Sequence, residues 1–193
     1  MSFTLEIGQQ APPFRLPATD GKEYGLEDFA PAKIVVVVFS CNHCPFVVGS
    51  EDRMTAFQRD YAARGARMVA INSNETDNHP TDSFEHMIER ARQKGFNFPY
   101  LRDEPQDVAR AYGALRTPHY FVFDEKRVLR YTGRMDDNPR DAAKAVTREL
   151  RDAVDALLAG QPVPQPVTNP IGCNVKWRGK AEHWMPPEAC DLA

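Results

Sequence analysis

The sequence lacks a long apolar run and an excess of either charge. No stretch approaches the roughly 20 consecutive apolar residues that a membrane-spanning helix needs. Acidic and basic residues are interspersed and the formal net charge is only −3, which argues against a basic surface for nucleic acid and against a polybasic membrane patch. We therefore expect a protein thiol or a small molecule as partner, with no nucleic acid and no membrane.

Cysteine is also scarce, since the 193 residues contain only Cys41, Cys44, Cys173 and Cys190. Four are too few for a disulfide-stapled scaffold, and a chain of this length can bury a core without one. Residues 1–8 carry neither a basic nor an apolar segment, which favours an unexported, cytoplasmic protein. In a reducing compartment, Cys-x-x-Cys spacing is more often catalytic or metal-binding than structural.

An apolar, β-branched segment leads directly into the first two cysteines. Residues 34–39 read Ile-Val-Val-Val-Val-Phe without alternation, which is typical of a central strand buried on both faces. After Cys44, apolar residues recur at helical spacing as far as Gly65. They are Val47, Met54, Phe57 and Tyr61. The two cysteines therefore lie at a strand-to-helix junction.

This junction favours reactive thiols. Backbone N–H groups at a helix N-terminus lack partners within the helix and carry partial positive charge, so they favour a thiolate over a thiol. His43, between the two cysteines, supplies a proton donor or a second positive charge. We predict that Cys41 has a depressed pKa and attacks, and that Cys44 resolves the mixed disulfide.

Strand, Cys-x-x-Cys and helix in this order resemble the thioredoxin superfamily, and the intervening His43 is similar to that of its oxidising members. The resemblance implies an α/β protein with a thioredoxin-like fold, in which three α/β/α layers surround a central mixed sheet. Ser40 stands where thioredoxins usually have Trp, and Asn42-His43 replace their Gly-Pro. The redox potential is therefore not carried over from thioredoxin itself.

Two additions to the thioredoxin pattern resemble the peroxiredoxin-like (AhpC/TSA, redoxin) branch of the superfamily. Residues 8–29 form a proline-containing N-terminal extension, although a lead-in without family meaning would look similar. Helices over 81–94 and 105–112 form a helical insertion. At the start of the first helix, Asp82 and Glu85 are spaced as a capping box.

Several polar residues beside the insertion have an ordinary structural explanation. His79 and His86 lack neighbours at metal-ligand spacing, so we expect both to be solvated. A second strand over 67–72 completes a right-handed βαβ unit with the first. The Asn-Ser-Asn of 72–74 follows its end, where ligand contacts occur in open sheets, but we favour simple turn chemistry.

A Thr-Pro dipeptide opens an antiparallel hairpin that is predicted over 120–124 and 128–132. Proline at the start of a strand is common, because no hydrogen-bond donor of the ladder is lost there. Thr-Pro at this place is also the second signature of the thioredoxin superfamily. The resemblance implies a cis Thr117–Pro118 bond, with the Thr117 backbone pairing with a bound partner and Pro118 beside the sulfurs.

A charged cluster ends the hairpin. Residues 133–138, Gly-Arg-Met-Asp-Asp-Asn, resemble a Gly-Arg-x-Asp-Asp segment of a peroxiredoxin-like subfamily. The resemblance implies that Arg134 and Asp136 help to shape the site, the arginine by stabilising a thiolate and the aspartate by taking protons. Asn138 is also the predicted N-cap of a helix over 139–159, and the two interpretations are compatible.

The chain divides into a thioredoxin-like domain, residues 1–160, and a proline-rich tail, residues 161–193. Residues 172–177, Gly-Cys-Asn-Val-Lys-Trp, are similar to a tail segment of the same subfamily, so we expect the tail to fold back over the dithiol. Cys173 is then either a third, resolving thiol or a small buried side chain that anchors the tail. Cys190 is predicted to be a bystander.

The sequence leaves three functions open, and none needs a cofactor. The leading one is a thiol–disulfide oxidoreductase that cycles Cys41 and Cys44 against protein or low-molecular-weight thiols and disulfides. The second is a thiol peroxidase, although peroxiredoxins typically have Thr or Ser three residues before the reactive cysteine, and Ser40 lies four before Cys44. The third is a zinc or copper module in which His43 or His119, together with Cys173, would add ligands to the two cysteines. The oligomeric state is not predicted.

Overall fold

The structure is a computed structural model and describes residues 3–181, so Cys190 lies outside the described residues. The strands are β1 (Arg15–Pro17), β2 (Glu23–Gly25), β3 (Ile34–Ser40), β4 (Ala66–Asn72), β5 (Tyr100–Arg102), β6 (Arg116–Thr117), β7 (His119–Phe123), β8 (Leu129–Gly133) and β9 (Cys173–Asn174). The helices are α1 (Pro45–Val48), α2 (Glu51–Ala62), α3 (Phe84–Lys94), α4 (Asp107–Tyr112) and α5 (Glu149–Leu158). Among these described elements, no helix is long and apolar enough to cross a membrane.

A mixed five-stranded sheet, in the order β5-β4-β3-β7-β8, forms the centre of the fold. β4 runs parallel to β3 on one side, with Val37 opposite Val69. β7 runs antiparallel to β3 on the other side, with Val37 opposite Phe121. Every residue of β3 is buried, as predicted for a central strand. The α/β class and the mixed central sheet of the predicted fold are confirmed.

Each face of β3 contributes to its own core, because successive side chains of a strand point to opposite faces. On one face, Val35 and Val37 pack with the N-terminal extension, α4 and the tail. These neighbours include Phe14, Leu16, Tyr112, Val175 and Trp177. On the other face, Val36 and Val38 pack with α2, α3 and α5. Helices therefore cover both faces of the sheet, which gives the expected three layers.

The helix that was predicted to run from the second cysteine to Gly65 is interrupted. α1 ends at Val48 and α2 begins at Glu51. The backbone of Pro139 packs against the break so closely that a Cβ on Gly49 would lie 2.6 Å from its carbonyl oxygen. Arg53 donates to the carbonyl oxygens of both Gly49 and Pro139, which fixes the break. Only a single short helical segment therefore follows the dithiol directly.

The helix predicted over 139–159 is wrong in its first half, because α5 starts only after Thr147. The Asp137 carboxylate accepts the N–H groups of Val146 at 2.9 Å and of Thr147 at 3.2 Å, which holds this stretch out of a helix. Asn138 is consequently not the N-cap of α5. Val146, within this non-helical stretch, is 86% exposed.

Candidate active site

Cys41 and Cys44 lie in the loop between the end of β3 and the start of α1. Cys44 is the N-cap of α1, and Pro45 occupies the first helical position, where its missing N–H leaves no bond unmade. Both cysteines are free thiols, and they are only 2% and 0% exposed. They form a small apolar cluster with Val47 and Cys173. The dithiol is therefore delivered by the central strand but covered from solvent.

The C-terminal residue of β6, Thr117, lies against the sulfurs of both Cys41 and Cys44. The Thr117–Pro118 bond is cis, in agreement with the expectation. In its thiol form, Cys44 Sγ donates to the carbonyl oxygen of Thr117 at 3.1 Å. Cys41 Sγ lies 3.4 Å from Thr117 Oγ1, within hydrogen-bond distance. Thr117 therefore contacts each cysteine through a different oxygen.

Cys173 joins this group from the tail. β9 pairs antiparallel with β6, so Thr117 lies opposite Cys173 and Arg116 lies opposite Asn174. The thiol and the backbone N–H of Cys173 both donate to Cys44. Three cysteines thus lie around the end of β6, and Cys44 is the one in the middle.

A buried carboxylate, Asp82, faces the other side of the dithiol. His43 Nδ1 lies 2.8 Å from Asp82 Oδ2, and Asp82 is 0% exposed. Further donors to this carboxylate are the N–H of Asn42 at 2.7 Å, Asn74 Nδ2 at 2.8 Å and Asn72 Nδ2 at 3.2 Å. Burial alone would raise the pKa of Asp82, but the hydrogen bonds from His43 and the other donors lower it. The carboxylate is therefore ionised.

The assignment of Asp82 to a capping box is wrong. Ser83 is the N-cap of α3, and its Oγ accepts the N–H of His86. Asp82 instead turns inward to Asn42 and His43, the two residues between the cysteines. Nothing in the local sequence distinguishes the two roles, because an acid at the start of an amphipathic helix is typical of a cap. Only the folded sheet brings Asp82 to His43.

The expectation for the histidines of the insertion is half right. His86 is exposed, as predicted. His79 is not simply solvated, because its Nδ1 lies 2.5 Å from Glu75 Oε1 and its ring stacks on that of His43 with 5.4 Å between the centroids. Each ring of this stacked pair therefore has its own carboxylate partner.

The two cysteines have pKa values shifted in opposite directions, and the predicted depressed pKa of Cys41 is wrong. Burial is the main cause that raises the pKa of Cys41, and Cys44 and Asp82 raise it further. The hydrogen bond from Cys41 is the main cause that lowers the pKa of Cys44, and donors on Cys173 and Val47 add to it against the effect of burial. The carbonyl oxygen of Thr117 opposes this thiolate, but the donors outweigh it. The difference arises because Cys44 accepts hydrogen bonds from Cys41, Cys173 and Val47, whereas burial and the nearby Asp82 favour the neutral form of Cys41.

Arg134 and Asp136 bind residues of the helices instead of the sulfurs. Arg134 donates to Glu149 Oε1 from Nε at 2.9 Å and from Nη2 at 2.6 Å, at the start of α5. Arg53 of α2 lies 2.5 Å from Asp136 Oδ2. Within residues 3–181, no recorded hydrogen bond or ion pair of either side chain reaches a cysteine. The structure thus does not bring these two side chains to the dithiol.

The expected metal ligands separate into one group that fits and one that does not. Ligand atoms of Cys41, His43 and Asp82 lie within 4.8 Å of one another, a mixed sulfur, nitrogen and oxygen set that could hold a metal ion. His119 is elsewhere, since its Nδ1 accepts the N–H of Leu115 and its Nε2 lies 3.1 Å from Thr132 Oγ1. Burial lowers the pKa of His119 to about 3, so it is neutral.

A family model described as Redoxin matches residues 6–148, which is most of the chain. The chain belongs to the Redoxin family. Among curated Redoxin-like relatives, the thiol–disulfide oxidoreductase ResA of Bacillus thuringiensis is 26% identical over 121 residues, which cover 63% of this chain and 65% of ResA. The match thus spans slightly less than two thirds of that relative. A Helicobacter pylori protein provisionally named peroxiredoxin bcp is 27% identical over 110 residues, 57% of this chain and 67% of its own length.

Two crystal structures resemble this Redoxin-family chain over nearly its whole length. An uncharacterised conserved protein from Geobacillus kaustophilus is 41% identical with a TM-score of 0.86, over 93% of this chain and 96% of its own. A hypothetical protein from Sinorhizobium meliloti is 39% identical with a TM-score of 0.87, over 93% and 98%. This coverage is more than residues 1–160 of 193 can supply, so the likeness includes part of the tail.

Proposed function

We propose that this protein is a thiol–disulfide oxidoreductase in which Cys44 attacks and Cys41 resolves. The observation that supports this most is the contrast within the motif, because the surroundings of Cys44 favour the thiolate and those of Cys41 favour the thiol. Only a thiolate attacks a disulfide sulfur at a useful rate. The order of the two cysteines is therefore the reverse of the sequence-based expectation.

The reaction begins when the Cys44 thiolate attacks one sulfur of a partner disulfide. A mixed disulfide forms, and the other partner sulfur leaves as a thiolate. His43 is suited to protonate this thiolate, because its hydrogen bond to Asp82 raises the pKa of His43. The neutral His43 then takes the proton of Cys41.

The Cys41 thiolate completes the reaction by attacking the sulfur of Cys44. The Cys44–partner bond breaks, and the partner's second sulfur leaves as a thiolate. The products are a Cys41–Cys44 disulfide and a partner dithiol, so two electrons have passed to the partner. A reducing compartment such as the cytoplasm would return the pair to the dithiol, and that location stays a prediction.

Asp136 acts as a positioning residue in this proposal, and Arg134 acts on the scaffold alone. The Arg53–Asp136 pair connects α2 to the loop that packs on Gly49, and it thereby supports the break after α1 and the short helix that Cys44 caps. The Arg134–Glu149 pair fixes the start of α5. Thr117 and Pro118 form the wall against which the sulfurs pack.

Peroxide reduction is the second candidate, and the burial of the dithiol favours it. Because Cys41 and Cys44 are 2% and 0% exposed, a small oxidant reaches them more easily than a folded protein does. The Cys44 thiolate would attack a peroxide oxygen and release water or an alcohol, leaving a sulfenic acid. Condensation with the thiol of Cys41 or Cys173 would then give a disulfide and water.

Mass spectrometry separates the two functions. The reduced protein is mixed with one equivalent of a small oxidised dithiol or, separately, of hydrogen peroxide, and the new bonds are mapped after digestion. We expect the disulfide to give a Cys41–Cys44 bond rapidly and peroxide to react slowly. A rapid reaction with peroxide, together with a slow one with the disulfide, would replace the proposed exchange function by the peroxidase.

A further inference from the structure

The tail binds the edge of β6 mainly through its backbone. The β9 strand pairs with Arg116 and Thr117, and the N–H of Val175 extends the pairing to the carbonyl oxygen of Leu115 at 3.2 Å. Arg116 also donates to the side-chain oxygen of Asn174. The edge of β6 thus binds an extended segment by backbone hydrogen bonds, and this segment carries a cysteine opposite Thr117.

A second group of polar residues forms hydrogen bonds with the backbone of the tail after β9. The N–H of Lys176 donates to Asn74 Oδ1 at 2.9 Å. The carbonyl oxygen of Lys176 accepts from the N–H of Glu75 at 2.9 Å and from Gln106 Nε2 at 2.8 Å. Gln106 Oε1 in turn accepts the N–H of Arg178 at 2.9 Å. We call Asn74, Glu75 and Gln106 the polar cradle.

Two residues of the cradle are also held by groups outside the tail. Gln106 is almost fully buried, adopts a left-handed backbone conformation with φ of 64°, and donates to the carbonyl oxygen of Ser73 at 2.6 Å. A non-glycine residue seldom adopts this conformation without a specific reason. Asn74 is fixed by its bond to Asp82. Asn74, which was predicted to serve only turn chemistry, is therefore part of a site that binds the backbone of an extended segment.

Three positions of the tail show what the site selects. A Cβ on Gly172 would lie 2.2 Å from the carbonyl oxygen of Thr117, so only glycine fits before the cysteine. Val175 and Trp177 are 2% and 8% exposed and belong to the core on one face of the sheet. The guanidinium of Arg110 lies over the ring of Trp177, 5.6 Å from its centroid. The matching ligand reads Gly-Cys-x-aliphatic-x-aromatic.

We propose that the tail acts as an internal substitute for a protein partner: it occupies the edge of β6 and the polar cradle, and an extended cysteine-containing segment of another protein must displace it to reach Cys44. A partner segment would place its cysteine where Cys173 lies, beside Cys44. Tail and partner compete, because the edge of β6 can pair with one segment at a time. The proposal extends the proposed exchange reaction, on which it rests, by naming the class of protein disulfide that takes part.

The test measures binding of a redox-inert peptide to the full-length protein. The probe is a fluorescently labelled synthetic peptide with the sequence of residues 169–180 and the substitution Cys173→Ser. It is titrated against the wild type and against Gly172→Ala and Lys176→Pro proteins, whose own tails clash with Thr117 or lose the N–H that Asn74 accepts. Gln165→Ala, at an exposed tail position, is the matched control.

We expect both tail variants to bind the peptide about tenfold or more tightly than the wild type and the control, as follows if the tail occupies the site at least nine-tenths of the time. A second peptide that also carries Gly172→Ala should bind much more weakly. The emission of Trp177, in a background with Trp184→Phe, reports whether each variant has released its tail. Because the wild type is titrated too, the measurement does not depend on one variant folding.

Absence of saturable binding to the wild type and to both variants would overturn the site, as would equal binding of the two peptides. Dimers of a tail variant that block peptide binding would assign the site to a second copy, which also overturns the proposal. The peptide has no thiol, so its binding is independent of catalysis. Peptide binding without any exchange of a small disulfide would refute the proposed function alone, whereas exchange without peptide binding would refute this site alone.

Discussion

The two sides of the dithiol are built from different kinds of group. Cys41 faces side chains, since its neighbours are the Thr117 hydroxyl and the buried Asp82 that holds His43. Cys44 faces backbone and thiol groups, which include the N–H groups of Val47 and Cys173. One side presents a negative charge to a sulfur, and the other presents donors. The opposite pKa shifts of the two cysteines follow from this difference.

The comparison shows that the donors and charges around each sulfur, rather than the order of the cysteines, decide which thiol is activated. Partial positive charge is concentrated in the first turn of a helix and falls off beyond it. α1 starts at Pro45, so Cys44 lies at its end and Cys41 lies before it. The Cys-x-x-Cys motif in the sequence identifies the two reactive cysteines, but it does not show which one attacks and which one resolves.

Exchanging each cysteine in turn tests the comparison most strongly. Cys44→Ser should lower the rate of reaction with a small aromatic disulfide by about a thousandfold or more, because it removes the attacking thiolate. Cys41→Ser should still react once and then accumulate a mixed disulfide on Cys44, visible by mass spectrometry. The opposite pattern, with loss of the first reaction in Cys41→Ser, would restore the roles expected from sequence.

Removing the negative charge on the Cys41 side gives the next largest effect. Asp82→Asn should lower the pKa of His43 and the pKa of Cys41, because each is raised in part by this carboxylate. It should also lower the free energy of unfolding by about 1–3 kcal/mol, since several buried donors lose a charged acceptor. NMR titration of His43 and urea unfolding measure the two effects.

Asp52→Asn, at an exposed position of α2, is the matched control for that substitution and should change neither quantity. If the pKa of His43 is the same in Asp82→Asn as in the wild type, the carboxylate does not set the charge of the histidine. The proposed effect of a negative charge on the Cys41 side would then be wrong.

The stability of the reduced protein should depend on pH with opposite signs from the two thiols. The pKa of Cys44 is lowered on folding, so its contribution is present above the ordinary thiol value of about 8.5 and is lost as the pH falls through the folded pKa. The pKa of Cys41 is raised, so its contribution is present below that value and is lost as the pH rises through the folded pKa.

Urea unfolding in the presence of a reductant, compared between the wild type and Cys44→Ala, isolates the Cys44 contribution. The stability difference should shrink as the pH falls from about 8.5 to about 5, by up to about 1.4 kcal/mol for each unit of pKa shift. A difference that does not change with pH would show that Cys44 is not activated by the fold.

The smallest effect is expected for Arg134, which contacts neither the Cys41 side nor the Cys44 side of the dithiol. Arg134→Gln should lower the free energy of unfolding by about 1 kcal/mol, because the partly buried Glu149 keeps the donor Thr147 Oγ1. The rate of alkylation of the thiols should stay that of the wild type. A large fall in that rate would place Arg134 in the thiolate environment after all, as the sequence resemblance implied.

Local patterns were sufficient for β3, β4, β7 and β8 and for the position of the dithiol. The apolar run of β3 and the Thr117–Pro118 start of the hairpin were predicted because burial and turn chemistry are written in neighbouring residues. Asp82 was misassigned because its partners, His43 and Asn42, are distant in the chain and meet it only across the folded sheet. No local pattern contains that contact.

The start of α5 and the roles of the cysteines were missed for a related reason. Helical spacing over 139–159 predicts one helix, but the Asp137 side chain captures backbone N–H groups that the helix would need. The break after α1 depends on Pro139, which approaches Gly49 from a distant part of the chain. The helical spacing of apolar residues predicted where helices could form, but tertiary contacts determined where they begin.

The attachment of residues 166–168 beside β8 has a consequence for how any partner competes. Thr168 accepts the N–H of Arg134 at 3.1 Å, and its own N–H donates to the carbonyl oxygen of Thr132, so the chain is moored only a few residues before Gly172. A released tail therefore stays near its site at a high effective concentration, which for short tethers is of millimolar order. A free protein at cellular concentration would displace it only if it bound far more tightly, or if a mixed disulfide held it in place. The attachment of residues 166–168 therefore favours short-lived complexes with a partner, and the tail rebinds quickly after the partner has dissociated.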